Sequence, residues 1–205
     1  MSHTSTLHTL LSSYITTSEE ASRSAIDREI WQTFGTTGAV FISDMARFSQ
    51  TCLEHGIVYY LAMVSRMQIV VTPIIQNHGG VVIKFEADNC FARFAEVEQA
   101  IDAAIEIQRA IAETNRKTPS KRDIELSCGI DYGDFLLIDE DQDCFGNPVN
   151  RASKLGEDIA GAGEILVSRD AMNQVKQTER FALEHKQYSI SGMTLDVCQI
   201  LYEAQ

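Results

Sequence analysis

Asp44 and Asp88 stand far apart in the chain, yet each closes an apolar run. Asp44 follows Gly38–Ser43 (GAVFIS), and Asp88 follows Val81–Ile83 and the tetrapeptide Lys84-Phe85-Glu86-Ala87. Two carboxylates at the ends of neighbouring strands can share hard cations. Oxygen-only ligands suit Mg²⁺ or Mn²⁺, which keep waters and substrate phosphates in their remaining positions. Two such ions about 3.5–4 Å apart make a bed for phosphoryl transfer. Asp44 is followed by Met-Ala-Arg-Phe-Ser and then a helical pattern. Backbone N–H groups at that helix start, around Phe48 and Ser49, can hold phosphate oxygens. Taken alone, the two aspartates read equally as ordinary turn formers. The tip KFEADN still asks for a reason, because a plain two-residue hairpin favours Asn-Gly or Asp-Gly.

The pattern around these residues supplies the elements that must position them. Leu7, Leu10, Leu11 and Tyr14, then Ile26, Ile30 and Phe34, predict two short helices, with Thr17-Ser18-Glu19-Glu20 as a capping box between them. They form an extension over residues 1–35, either packed on the domain or used for dimerisation. A domain over 36–205 follows. Its first strand ends at Asp44, and a helix runs from Ser49 to Asn77 with Pro73 shortening or kinking its last turns. His78-Gly79-Gly80 stops it. Val81–Lys84 and Asn89–Phe94 are paired strands, and Val97 to Ile111 marks a second long helix. Ile124, Leu126, Cys128 and Ile130 alternate as a half-buried strand that turns at Tyr132-Gly133-Asp134 and returns through Phe135–Ile138. Asn147-Pro148 opens a helix as N-cap and first residue. Ile165–Ser168 and residues 181–201 supply further strands. The order predicts an α+β fold with a ferredoxin-like βαββαβ core, helices on one face and the other face free. In it the first strand and the hairpin are neighbours, so Asp44 and Asp88 converge.

Composition sets outer limits. A net charge of −12 weighs against nucleic acid and an anionic membrane surface as partners, since both need clustered basic residues. An RNA-binding sheet of this kind needs exposed aromatics and basic charge as well. The 5 cysteines are scattered without a CxxC or Cys/His cluster, which predicts reduced thiols and a cytoplasmic protein rather than a zinc site or disulfide framework. No secretory signal pattern is visible, and no uninterrupted apolar stretch reads as a membrane span.

FISDMARFS, GGVVIKFEAD, GIDYGD and DCFGNPVNRASKL, taken in order over residues 38–205, resemble the class III nucleotidyl cyclase catalytic domain, in its adenylate cyclase branch. The resemblance implies that Asp44 and Asp88 hold two Mg²⁺ or Mn²⁺ ions. It implies that Lys84 and Asp143 read the purine of ATP, the lysine meeting a ring acceptor and the aspartate the exocyclic amine. Asn150 then orients the ribose, and Lys154 stands where the family usually carries an arginine that stabilises phosphoryl charge. Asn150 and Lys154, four apart, project from one helix face. The family's site lies between two subunits, so a homodimer with shared sites is expected. The product would be 3′,5′-cyclic AMP. The alternatives are another cyclic nucleotide, or a degenerate domain that binds without turnover.

Three features depart from the family pattern. Lys154 offers a point charge where arginine offers a planar fork. Ala87 stands where a glycine usually precedes the second aspartate, and a positive φ there would strain it. Glu86 adds a carboxylate that can pair with Lys84, approach the metals, or face solvent. Arg151, beside Asn150 on another helix face, is expected at the surface.

Overall fold

The computed structural model describes residues 3–46, 53–119, 123–138, 142–190 and 193–203. Phe48 and Ser49 lie outside the described residues. The helices are α1 (His3–Thr16), α2 (Glu20–Phe34), α3 (Ile57–Asn77), α4 (Val97–Arg116), α5 (Asn147–Ser153) with a π-helical turn at Lys154–Ile159, and α6 (Arg169–Met172). The strands are β1 (Gly35–Met45), β2 (Val81–Glu86), β3 (Asn89–Phe94), β4 (Leu126–Ile138), β5 (Asp143–Phe145), β6 (Ile165–Ser168), β7 (Ala182–Ile190) and β8 (Met193–Leu201). They join one sheet in the order β2-β3-β1-β4-β6-β8-β7, with β5 paired to the end of β4. The order β2-β3-β1-β4 is that of the expected ferredoxin-like core. Pairing is antiparallel except between β4 and β6.

One face of the sheet carries the main core. Helix α4 repeats small and branched apolar residues at helical spacing, and Val97, Ala100, Ile101, Ala104, Ile107 and Ile111 are all buried. Its start is fixed by a capping box between Glu96 and Gln99. Helix α3 buries Tyr60, Met63, Val64, Met67, Val71, Ile74 and Ile75 beside it. These side chains meet Phe41, Ala92, Leu126, Cys128 and Ile130 of the sheet. Helix α3 is long and apolar enough to cross a membrane by length and composition, but Ser65, Arg66, Gln68 and Thr72 interrupt it, so the reading that no uninterrupted apolar stretch spans a membrane stands unchanged. One face of the helix is committed to the core, while Ile57, Val58, Leu61 and Ile69 are exposed.

The opposite face is not free. Helix α5 lies on it, closing a second cluster of Val40, Ile42, Ile83, Phe91, Phe135, Cys144, Val149 and Ala152. The helix comes very close. A Cβ on Gly129 would stand 2.1 Å from the Ala152 carbonyl oxygen, and one on Gly156 would stand 2.8 Å from that of Ile42. Leu126 through Asp131 are therefore buried on both faces, not half-buried.

Other local expectations change for physical reasons. Strand β4 runs unbroken through Tyr132-Gly133-Asp134, because all of it pairs with β1 and Gly133 faces Gly38. Helix α3 continues through Pro73 to Asn77. The carbonyl deprived of its donor is that of Ile69, on the exposed side, where water can serve it. The capping box before α2 does not form: Glu19 is the cap residue and makes no cap bond, and its carboxylate takes the Ser22 hydroxyl at 3.0 Å instead. Gly146, not Asn147, caps α5. The stop after α3 is as read, with Gly79 at φ +77 and the Gly80 N–H bonded to the Ile75 carbonyl at 2.9 Å. Helices α1 and α2 bring Leu7, Ile30 and Phe34 against Ile138.

Candidate active site

Asp44 and Asp88 meet at one corner of the sheet. The β1–β3 ladder ends at Ser43↔Cys90, so Asp44 is the next residue outward, level with the β2–β3 turn that carries Asp88. Asp88 is buried at 6 % exposure, and its Oδ2 has no hydrogen-bond partner. Burial pushes the Asp44 carboxyl up from 3.8 to about 7, reinforced by the charges of Asp88 and Glu157. Burial likewise raises Asp88, against its own backbone N–H and the Tyr60 hydroxyl, which favour the charged form. Glu157 was not singled out by sequence reasoning. It stands in the π-helical turn, next to Gly156, whose missing side chain lets the turn reach β1. Its carboxylate accepts from the Ser153 hydroxyl at 2.7 Å.

Two crowded carboxylates and an orphaned buried oxygen form a site that lacks positive charge, and a divalent cation fits that lack. Among the described residues no three acidic, histidine or cysteine side chains form a ready-made cage. A cation there would take the rest of its shell from water and phosphate, as Mg²⁺ commonly does. Class III cyclases are generally metal-dependent, which agrees with this donor set.

The turn holding Asp88 is tight: Glu86 pairs with Asn89, leaving Ala87 and Asp88 as its two central residues. Ala87 takes φ +52. A left-handed conformation costs a non-glycine residue about 1–2 kcal/mol. The strained Ala87 therefore sits immediately beside the buried aspartate.

Lys84 and Asp143 come together from separate strands. The Lys84 Nζ stands 3.0 Å from Asp143 Oδ1 and 2.7 Å from Glu86 Oε2. It lies 4.8 Å from the centre of the Phe91 ring. Partial burial pulls the lysine pKa down, but the bonds to Glu86 and Asp143 outweigh that and raise it above the ordinary value. Of the three readings open for Glu86, two hold together: it faces solvent and pairs with Lys84. Asp143 Oδ1 also accepts the Cys144 N–H at 2.8 Å. The neighbouring Cys144 side chain points away into the second apolar cluster, and burial pushes its thiol up to about 11. The arrangement offers one donor and one acceptor, side by side.

Asn150 and Lys154 line an open groove of about 600 Å³ together with Asn147, Arg151, Ser153, Asp158 and Leu195. Lys154 has no ion-pair partner among the described residues. Asp44 and Asp88 do not line this groove. One chain thus gathers the two aspartates, gathers the Lys84–Asp143 pair, and gathers Asn150 with Lys154. The aspartates are not among the residues lining the α5 groove, although Ser153 of its wall bonds Glu157, whose charge reaches Asp44. Arg151 is not a surface residue in the expected sense: its Nε reaches the fully buried Asp131 at 2.6 Å.

Comparison with known proteins identifies the family and the fold. The sequence model of the adenylate and guanylate cyclase catalytic domain matches residues 32–200, and the chain belongs to that family. Among individual relatives, a protein of Rhizobium meliloti (strain 1021) that carries an adenylate cyclase name is 29% identical over 130 residues. That match covers 63% of this chain but only 22% of the relative. The crystal structure of an adenylate/guanylate cyclase/hydrolase from Silicibacter pomeroyi is 28% identical, with a TM-score of 0.68 over 83% of this chain and 99% of that one. A dimeric guanylyl cyclase domain from the aquatic fungus Blastocladiella emersonii shares the fold at 17% identity, with a TM-score of 0.69 over 82% of this chain and 97% of that one.

Proposed function

We propose that this chain is an adenylate cyclase, converting ATP to 3′,5′-cyclic AMP and pyrophosphate at sites shared between two copies. The observation that carries the choice of adenine is the 3.0 Å contact between Lys84 and Asp143. An ammonium has three donors. Glu86 and Asp143 occupy two, leaving one for a ring nitrogen of the base. Asp143 Oδ2 stays available to accept the exocyclic amine. Guanine presents a carbonyl where adenine presents that amine, and a carboxylate repels it. The buried Cys144 thiol is turned away and offers the base nothing.

In the reaction the ribose 3′-oxygen attacks the α-phosphorus. The new O3′–P bond forms as the bond from that phosphorus to the bridging oxygen of the β-phosphate breaks. Pyrophosphate leaves with that electron pair, and the hydroxyl proton passes to Asp44 or to water. Asn150 orients the sugar so that the attack is in line. Lys154 sets its ammonium against charge growing on the phosphoryl oxygens. Asp44 and Asp88 would hold two divalent cations. The chemistry such ions supply is acidification of the 3′-hydroxyl and neutralisation of the triphosphate.

The position of the two aspartates outside the lining of the α5 groove supports a site completed by a second copy. A two-fold axis would bring the aspartates of one protomer to Asn150 and Lys154 of its partner, and generate two equal sites. Product analysis from an equal mixture of ATP, GTP, CTP and UTP with Mg²⁺ or Mn²⁺ tests the substrate; cyclic AMP is expected to dominate. Mixing an Asp44→Asn/Asp88→Asn protein with an Asn150→Ala/Lys154→Ala protein tests the sharing. Each is expected to be inactive alone and the mixture active. Mixed dimers without activity would end the shared-site account.

A further inference from the structure

Asp131 is a carboxylate at 0% exposure in the middle of β4. Its Oδ2 accepts from Arg151 Nε at 2.6 Å, and its Oδ1 accepts from the Ser168 hydroxyl. Ser168 Oγ accepts in turn the Ala171 N–H at 3.0 Å, capping α6. The second arm of Arg151, Nη1, donates to Asp170 Oδ2 at 2.9 Å. One side chain of α5 is thereby tied to β4, to the end of β6 and to α6. The residue before it is Asn150, and Lys154 follows three positions later.

We propose that the Asp131–Arg151–Asp170 network is a positioning device that sets the rotation of α5, and with it the aim of Asn150 and Lys154 into the groove. The inference rests on the cyclase reading of that groove. Helix α5 has only 7 α-helical residues before the π-helical turn. So short a helix has no rigidity of its own and takes its orientation from its contacts. The Gly129, Ala152 and Gly156 contact sets its height above the sheet. Apolar contact is weakly directional and leaves rotation about the axis less defined. The Arg151 fork, held at two nitrogens by two carboxylates, is directional. Successive residues project about 100° apart around a helix, so aiming Arg151 at Asp131 fixes where Asn150 points. A buried ion pair is a poor choice for stability alone, because apolar residues of like volume often serve as well. It is a good choice for direction.

The test separates aim from stability. Arg151→Lys and the double variant Asp131→Leu/Arg151→Met are compared with the unmodified chain for kcat, KM for ATP and thermal unfolding. The double variant removes both charges together and leaves no unpaired buried carboxylate; because the Ser168 hydroxyl loses its acceptor, it is expected to unfold a few degrees below the unmodified temperature but to remain folded. Its kcat is expected to fall about 10²-fold, the loss expected of a misaimed group. KM for ATP should stay within about threefold, since Lys84 and Asp143 sit on other elements. Arg151→Lys should keep part of the kcat. If the double variant does not fold, Asp170→Asn removes only the exposed arm and is expected to lower kcat about threefold at unchanged KM. A folded double variant with unmodified kcat, or an unchanged Asp170→Asn where that one is used, overturns the positioning role and leaves the cyclase reading intact. Absence of turnover in the unmodified chain overturns both.

Discussion

The corner holding Asp44 and Asp88 and the groove holding Asn150 and Lys154 are opposites. In the first, acidic groups crowd together, one buried oxygen lacks a partner, and a carboxyl is driven up to about 7. In the second, an ammonium with no ion-pair partner among the described residues stands in an open groove. The corner needs positive charge and the groove can receive a negative ligand. Under the proposed function a metal–triphosphate complex would answer both.

The largest effect should come from discharging the corner. Asp44→Asn or Asp88→Asn should lower cyclase turnover by roughly 10²-fold or more, as loss of a metal ligand removes several kcal/mol of charge stabilisation. The same substitutions should raise the unfolding temperature of the metal-free protein at pH 8, because a repelling buried carboxylate is gone. Lower stability together with lower activity would show that these carboxylates support the fold and not the chemistry.

The groove should respond in the other direction. Lys154→Arg restores a planar fork and should raise kcat about ten- to a hundredfold, with stability unchanged. An unchanged kcat would show that this cation does not limit turnover.

The pH dependence of stability should distinguish the two regions again. The folded Asp44 carboxyl titrates near 7, and its ordinary value is 3.8. A carboxyl whose folded pKa is raised favours the folded state fully below the unfolded value and loses that contribution as pH climbs through the folded value. The metal-free protein should therefore melt lower at pH 8 than at pH 5 by a few degrees, about the size of a 1 kcal/mol effect in a chain this long. Saturating Mn²⁺ should remove most of the difference, and Asp44→Asn should remove it without metal. Melting curves with a pH slope indifferent to both would mean that Asp44 is not the titrating group.

The smallest effect belongs to the turn between β2 and β3. Ala87→Gly relieves a φ of +52 and should stabilise the chain by about 1 kcal/mol, or roughly 2–4 °C. Because the turn carries Asp88, a shift in the Mn²⁺ dependence of activity should accompany it. A destabilised Ala87→Gly would show that the turn is held by its neighbours at no cost.

Much of this was legible before any fold was known. The apolar periods of α3 and α4 are strong because each helix turns one face to a single large core, and β1, β2 and β3 read as apolar runs because the sheet is covered on both faces. The strand order that brings Asp44 to Asp88 follows from the βαββαβ succession. Positive φ at Ala87 could be suspected from the missing glycine alone. The failures lie where distant contacts override local signals. Tyr132-Gly133-Asp134 reads as a turn, yet β4 passes through it because β1 pairs along its whole length. Arg151 reads as a surface residue because its partner, Asp131, is on another element and buried. Glu157 carries no signal at all until Gly156 lets its turn approach β1.

By itself the sequence determined which groups are available: two acidic residues at strand ends, a lysine and an aspartate on separate segments, and an asparagine and a lysine one helical turn apart. Periodicity and residue type are local properties, and the chain carries them without folding. Only the tertiary structure decided that Glu86 and Asp143 share one ammonium, that the Cys144 thiol turns inward, and that Arg151 braces the helix bearing Asn150. Those outcomes depend on distances between elements and on burial, and burial is a property of the packed whole.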